Sequence, residues 1–121
     1  MFDTILFGIP RNIYIYRGDA VPMRENYEPF KRALAFTESL AKGHLVRFGL
    51  GDWMHPFAER AVVPELPTTA WYYHELKMLV EAAKLFGYEE DVKRYSELAE
   101  QVFHAFNREF SNGNGSYANN E

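Results

Sequence analysis

One glycine constrains this chain more than any other residue. Gly87 separates two runs whose apolar residues recur every three or four positions. Before it, Tyr72, Leu76, Leu79, Ala83 and Phe86 form a stripe that Tyr73 and Val80 widen. After it, Val92, Tyr95, Ala99, Val102, Phe106 and Phe110 form another. That period belongs to an α-helix with one face turned to a core. Glycine accepts the left-handed conformation that closes a helix without a Cβ penalty. Glu89, Glu90 and Asp91 then suit the positive N-terminus of a following helix. Two helices joined by so short a turn lie antiparallel, so the spacing predicts an αα-hairpin over 68–86 and 88–110. Pro67 fits the first turn, with Thr68 or Thr69 near the cap. Ser111-Asn112-Gly113-Asn114-Gly115 reads as the turn that ends the second helix.

Upstream, Asp19 is placed to cap a helix over 20–42, with Pro22 in its first turn. Met23, Tyr27, Phe30, Leu34, Thr37 and Ala41 supply its apolar face, and Gly43 a stop. Pro29 lacks an N–H inside this span, which predicts a kink or two abutting helices. Residues 1–18 read as extended or irregular: Ile13, Ile15 and Arg17 alternate with Tyr14 and Tyr16, and Gly8 and Pro10 interrupt anything longer. Residues 43–66 read as loop, punctuated by Gly49, Gly51, Pro56 and Pro64.

Trp71, Tyr72 and Tyr73 stand in a row and cover most of the circumference of their helix. A helix apolar nearly all round is buried on several sides. Three helices do not supply that cover, so the sequence describes part of a larger body or a chain that associates, as a homodimer or larger assembly. The aromatic fraction of 17% points the same way.

Several function classes are disfavoured. The net charge of −4 and the lack of a dense Lys/Arg cluster argue against nucleic acid. Apolar stretches fall short of the ~20 residues of a membrane span. Met1-Phe2-Asp3 lacks the basic start of a secretory signal, and a cytoplasmic location is the expectation. Cysteine is absent. His74-Glu75 begins a zinc-protease pattern, but Met78 stands where the second histidine is needed; no metal and no cofactor is expected. Gly49-Leu50-Gly51 has no strand–turn–helix around it, which argues against a dinucleotide site.

Asp52 and Trp53 form the most suggestive pair. A flat apolar ring packs against sugar C–H faces, and a carboxylate beside it accepts from paired hydroxyls. The structural alternative is a tryptophan that anchors a loop and an aspartate that caps local backbone N–H groups.

Read in order, a set of segments resembles the bacterial α-L-rhamnosidase catalytic domain. They are Ile13-Tyr14-Ile15-Tyr16-Arg17-Gly18-Asp19, Glu25-Asn26-Tyr27, Phe48-Gly49-Leu50-Gly51-Asp52-Trp53, and Glu65-Leu66-Pro67-Thr68-Thr69-Ala70-Trp71-Tyr72-Tyr73-His74. Ala83-Lys84-Leu85-Phe86-Gly87 and Ala105-Phe106-Asn107-Arg108-Glu109-Phe110 continue the likeness, which covers roughly residues 12–120; Met1 to Pro10 fall outside it. The resemblance implies an all-α fold of antiparallel helical hairpins forming part of an (α/α)6 barrel, with residues 1–121 as one partial domain. It implies inverting hydrolysis of terminal α-L-rhamnose, with L-rhamnosides as the carbohydrate partners. Asp52 and Trp53 inherit substrate binding. The family's acid and base fall outside the matched stretch, so the catalytic residues stay unknown and the chain alone is expected to be inactive. The alternative is a tetratricopeptide-like interaction module, which requires a repeat that 20–42 and 67–110 do not supply.

Overall fold

The computed structural model describes residues 4–49 and 63–118. They form five helices: α1 (Thr4–Arg17), α2 (Val21–Glu25), α3 (Tyr27–Leu40), α4 (Glu65–Phe86) and α5 (Glu89–Phe110). Among the described residues there is no strand, and the two bridges present, Lys42 with Leu45 and Ser111 with Tyr117, are isolated. The all-α expectation holds.

The hairpin at Gly87 follows its chemistry. Gly87 sits at φ 77°, ψ 26°. Tyr88 N donates to Ala83 O at 2.9 Å and Gly87 N to Lys84 O at 3.3 Å, the paired bonds of a Schellman turn. From there α5 runs back along α4. Tyr95, Ala99 and Val102 close against the fully buried Leu76, Leu79 and Ala83.

Residues 1–18 depart from expectation. They form α1, not an extended segment. The alternation that suggested a strand spans only Ile13 to Arg17, whereas Leu6, Phe7, Pro10 and Tyr14 recur at helical spacing. Phe7 is 2% exposed and its ring stacks on Phe30 at 4.8 Å between centroids. Tertiary burial of that stripe outweighs a proline inside the helix, which local propensity alone disfavours.

The helix expected over 20–42 is two helices. Asp19 Oδ1 accepts from Val21 N at 2.9 Å, as a capping aspartate should. The break falls at Asn26, three residues before Pro29. In one continuous helix the Pro29 ring would meet the carbonyl of Glu25, so the chain turns there and Pro29 becomes a first-turn residue of α3, where no N–H is needed. The helix ends at Leu40, and Gly43 does not stop it. Gly43 and His44, both at positive φ, make a tight turn in which Lys42 and Leu45 exchange backbone bonds at 2.9 and 3.1 Å.

Direction follows from contacts. Tyr27 meets Phe86 at 5.9 Å, while Thr37 lies beside Thr68 and Trp71, so α3 is antiparallel to α4. Arg11 pairs with Glu81, and Ile5 to Phe7 lie beside Glu75, so α1 is parallel to α4. Hence α1 and α4 share one direction and α3 and α5 the other. The α1–α3 and α4–α5 hairpins stand side by side with α4 in the middle, touching every other helix. The wide apolar face of α4 is explained by that position, and α1 supplies cover that three helices lacked.

Candidate functional site

The parallel and antiparallel directions divide the molecule into two ends. At one end lie the start of α1, the close of α3, residues 41–49, the start of α4 and the segment after α5. At the other lie α2, the start of α3 and the Gly87 turn.

The first end is built around an irregular strap. Val46 is buried, 3% exposed, in a stretch without regular structure. Its N–H donates to Thr69 Oγ1 at 3.0 Å. Its carbonyl accepts from Thr68 Oγ1 at 2.9 Å, a hydroxyl that also lies 2.7 Å from Pro64 O. Two adjacent threonines thus satisfy both backbone groups of one buried residue. This corrects the expectation that Thr68 or Thr69 caps the helix: α4 begins at Glu65, and both threonines lie inside it, buried. Gly49 follows at φ 113°, where an added Cβ would stand 3.1 Å from Thr68 Cγ2. Arg47 extends from the strap to Glu109 at 3.3 Å and Glu65 at 3.7 Å.

Beneath the strap, Thr37, Phe48, Trp71, Tyr72 and Glu75 surround a gap of about 40 Å3. Phe48, Thr37 and Glu75 also line a cavity of about 510 Å3 with Leu6, Phe7 and Phe36. The Glu75 carboxylate is 6% exposed. Trp71 is half-buried and meets the His74 ring at 5.6 Å, edge to face. Tyr72 is 2% exposed and its hydroxyl makes no hydrogen bond with the described residues. Burial first, then the negative charge of Glu38 and Glu75, pushes its ionisation well above the ordinary tyrosine range.

Asp52 and Trp53, the expected sugar-binding pair, lie outside the described residues. The structure brings Trp71 and Glu75 together at the same end, one helical turn apart, and sequence reading passed over both as binding residues. The signal for Glu75 was present. It falls within the stripe formed by Tyr72, Leu76 and Leu79, where a solvated carboxylate does not belong. Among the described residues, no three of His, Cys, Asp and Glu stand close enough to hold a metal ion.

The opposite end has a different chemistry. Tyr27 Oη donates to Asp91 Oδ2 at 2.9 Å, and Lys31 Nζ lies 3.0 Å from the same oxygen. Burial and that bond push the Tyr27 phenol far above its usual range; the Asp91 contact raises Lys31 as well. Tyr27, Phe86 and Tyr88 pack as one aromatic group, with the Arg24 guanidinium 4.6 Å above Phe86.

Residues 2–121 match the family described as the bacterial alpha-L-rhamnosidase 6 hairpin glycosidase domain. The chain belongs to that family. The match begins at residue 2, so the first ten residues fall inside it, contrary to the sequence reading. The chain is 30% identical over 112 residues to an alpha-L-rhamnosidase from Formosa agariphila, covering 87% of this chain and 12% of that protein. It is 25% identical over 111 residues to an alpha-L-rhamnosidase from an Alteromonas species, covering 84% of this chain and 12% of that one. A solved alpha-L-rhamnosidase from Dictyoglumus thermophilum superposes with a TM-score of 0.85 at 38% identity, over 92% of this chain and 13% of that one. The chain is therefore similar to a small part of each relative's length. Of the two readings of the sequence, glycosidase or repeat module, the family supports the first. No helix among the described residues is long and apolar enough to cross a membrane.

Proposed function

We propose that this chain forms part of the catalytic barrel of a glycoside hydrolase of the α-L-rhamnosidase type, acting on terminal α-L-rhamnose with inversion. In this reading residues 1–121 are one partial domain of a six-hairpin barrel. The observation that carries it is the family match together with the strap end, where a tryptophan, a phenylalanine and a buried carboxylate gather beside the segment that leads into Gly51-Asp52-Trp53. Trp53 supplies an apolar wall for the pyranose and Asp52 accepts from its hydroxyls. Inversion needs a carboxylic acid to protonate the leaving oxygen and a carboxylate to activate water on the opposite face, ~6.5–9.5 Å apart. We assign neither role to a residue of this chain, and these 121 residues alone leave an aryl α-L-rhamnoside intact.

The test is a chimera in which this chain replaces the matching stretch of the Dictyoglumus relative. The chimera hydrolyses aryl α-L-rhamnosides, and Trp53→Ala within it raises KM more than it lowers kcat. An inactive chimera with intact helical structure sinks the assignment. Hydrolysis by the isolated chain, abolished by Asp52→Asn, would instead make Asp52 catalytic.

A further inference from the structure

The two flanks of this side-by-side pair of hairpins are unlike each other and fit each other. On the outer flank of the α1–α3 hairpin, Ile5, Ile9 and Tyr16 recur along α1 on the side opposite Phe7 and Tyr14, and each is more than half exposed. Phe36 and Leu40 continue that apolar face on α3, with Phe36 62% exposed. Phe36 is a knob opposite Leu34 and Tyr27, the residues that face the core.

On the outer flank of the α4–α5 hairpin there is a hole. Tyr73, Phe103, Phe106 and Tyr117 wall a cavity of about 190 Å3 floored by Ala70 and Asn107. Its polar atoms are already engaged: Asn107 Nδ2 donates to Phe103 O at 2.8 Å, and Asn107 Oδ1 accepts from Tyr117 Oη at 3.0 Å. What remains to a guest is ring faces and edges. That favours an apolar ring, and a dry cavity of ~150 Å3 holds one benzene.

Height along the bundle agrees. Phe36 neighbours Thr37, which lies level with Thr68 and Trp71. The hole is lined by Ala70 and Tyr73, the same level of α4. Inside the chain, the inner flank of the first hairpin already packs on the inner flank of the second, with α1 parallel to α4. Repeating that relation places the knob flank of one copy on the hole flank of the next. Such a contact is head-to-tail and closes only if the rotation fits a ring. The family's domain has six hairpins and the described residues hold two, so the rotation closes after three copies.

We propose that free copies of this chain assemble as a closed trimer, with Phe36 of each copy seated in the Tyr73–Phe103–Phe106–Tyr117 hole of its neighbour. The occupant of both flanks is a second copy of this chain.

Analytical ultracentrifugation of the 121-residue chain, with far-UV circular dichroism alongside, tests this. The wild type sediments as a trimer. Phe36→Asp and Phe103→Asp, both at exposed positions, each abolish the trimer while helical content stays unchanged. An equimolar mixture of the two variants gives a dimer, because one retains a sound hole flank and the other a sound knob flank. If either aspartate variant loses helical signal, Phe36→Ala and Phe103→Ala repeat the test with the same expectation. A wild type that is monomeric, dimeric or unfolded overturns the proposal. So do variants that remain trimeric, and so does a mixture that stays monomeric.

Discussion

The two ends of the bundle are held in different ways. At the Gly87 end, backbone bonds and ring packing close the turn: the Schellman pair, the Tyr27–Phe86–Tyr88 group, and Asp91 shared by Tyr27 and Lys31. At the strap end the backbone is irregular, and side chains hold it: Thr68 and Thr69 on Val46, Arg47 between Glu65 and Glu109. Regular turns need few residue-specific contacts, because local geometry satisfies their polar groups. An irregular segment must borrow partners from elsewhere, and each borrowed partner is a specific residue. Binding surfaces gather at ends of the second kind, since loops vary in shape while the scaffold stays fixed.

The largest effect should appear at the Gly87 end. Tyr27→Ala removes a buried ring that reaches α4, α5 and the turn, and should cost about 3 kcal/mol in chemical denaturation. A loss below about 1 kcal/mol would mean that the aromatic group merely decorates the turn.

Next comes the strap. Thr69→Val keeps shape and β-branching but leaves the buried Val46 N–H without its acceptor, at a cost of about 1–3 kcal/mol. Because only the strap depends on that bond, hydrogen exchange of the Val46 amide should quicken while amides of α4 and α5 stay protected. Uniform loss of protection would show that the two ends unfold as one and would erase the distinction between them.

Gly87→Ala should destabilise by about 1 kcal/mol, because a Cβ strains φ 77°. An unchanged denaturation midpoint would show that the turn tolerates a Cβ.

The smallest effect at neutral pH belongs to ionisation at the Gly87 end. Tyr27 and Lys31 both bind their protons more tightly folded than unfolded. The sign follows: above the unfolded values, near pH ~10, the native state retains more protons and stability falls as pH rises. Tyr27→Phe should flatten the alkaline decline of the melting temperature. An equal slope in the variant would place its origin elsewhere, at Tyr72 for example, whose phenol is also held neutral.

The local signals were legible wherever one residue type carries one physical consequence. Gly87 marked a left-handed turn, Asp19 a cap, and the three- and four-residue spacing of Leu76, Leu79 and Ala83 a buried helix face. The break near Pro29 was legible too, because a proline without an N–H forces it, though the chain places it at Asn26. Order and spacing of segments made the family legible. Tertiary structure decided what depends on partners distant in sequence. Residues 4–17 are helical because Phe7 finds Phe30, and local alternation at Tyr14–Tyr16 could not report that contact. Thr68 and Thr69 look like caps in sequence; only the path of the strap, some 22 residues earlier, turns them into partners of Val46. Glu75 reads as one more helical carboxylate until α1, α3 and the strap close around it. Periodicity and turn chemistry are local properties of the chain, whereas the partners of a buried polar group are fixed only when helices with no sequence proximity pack together.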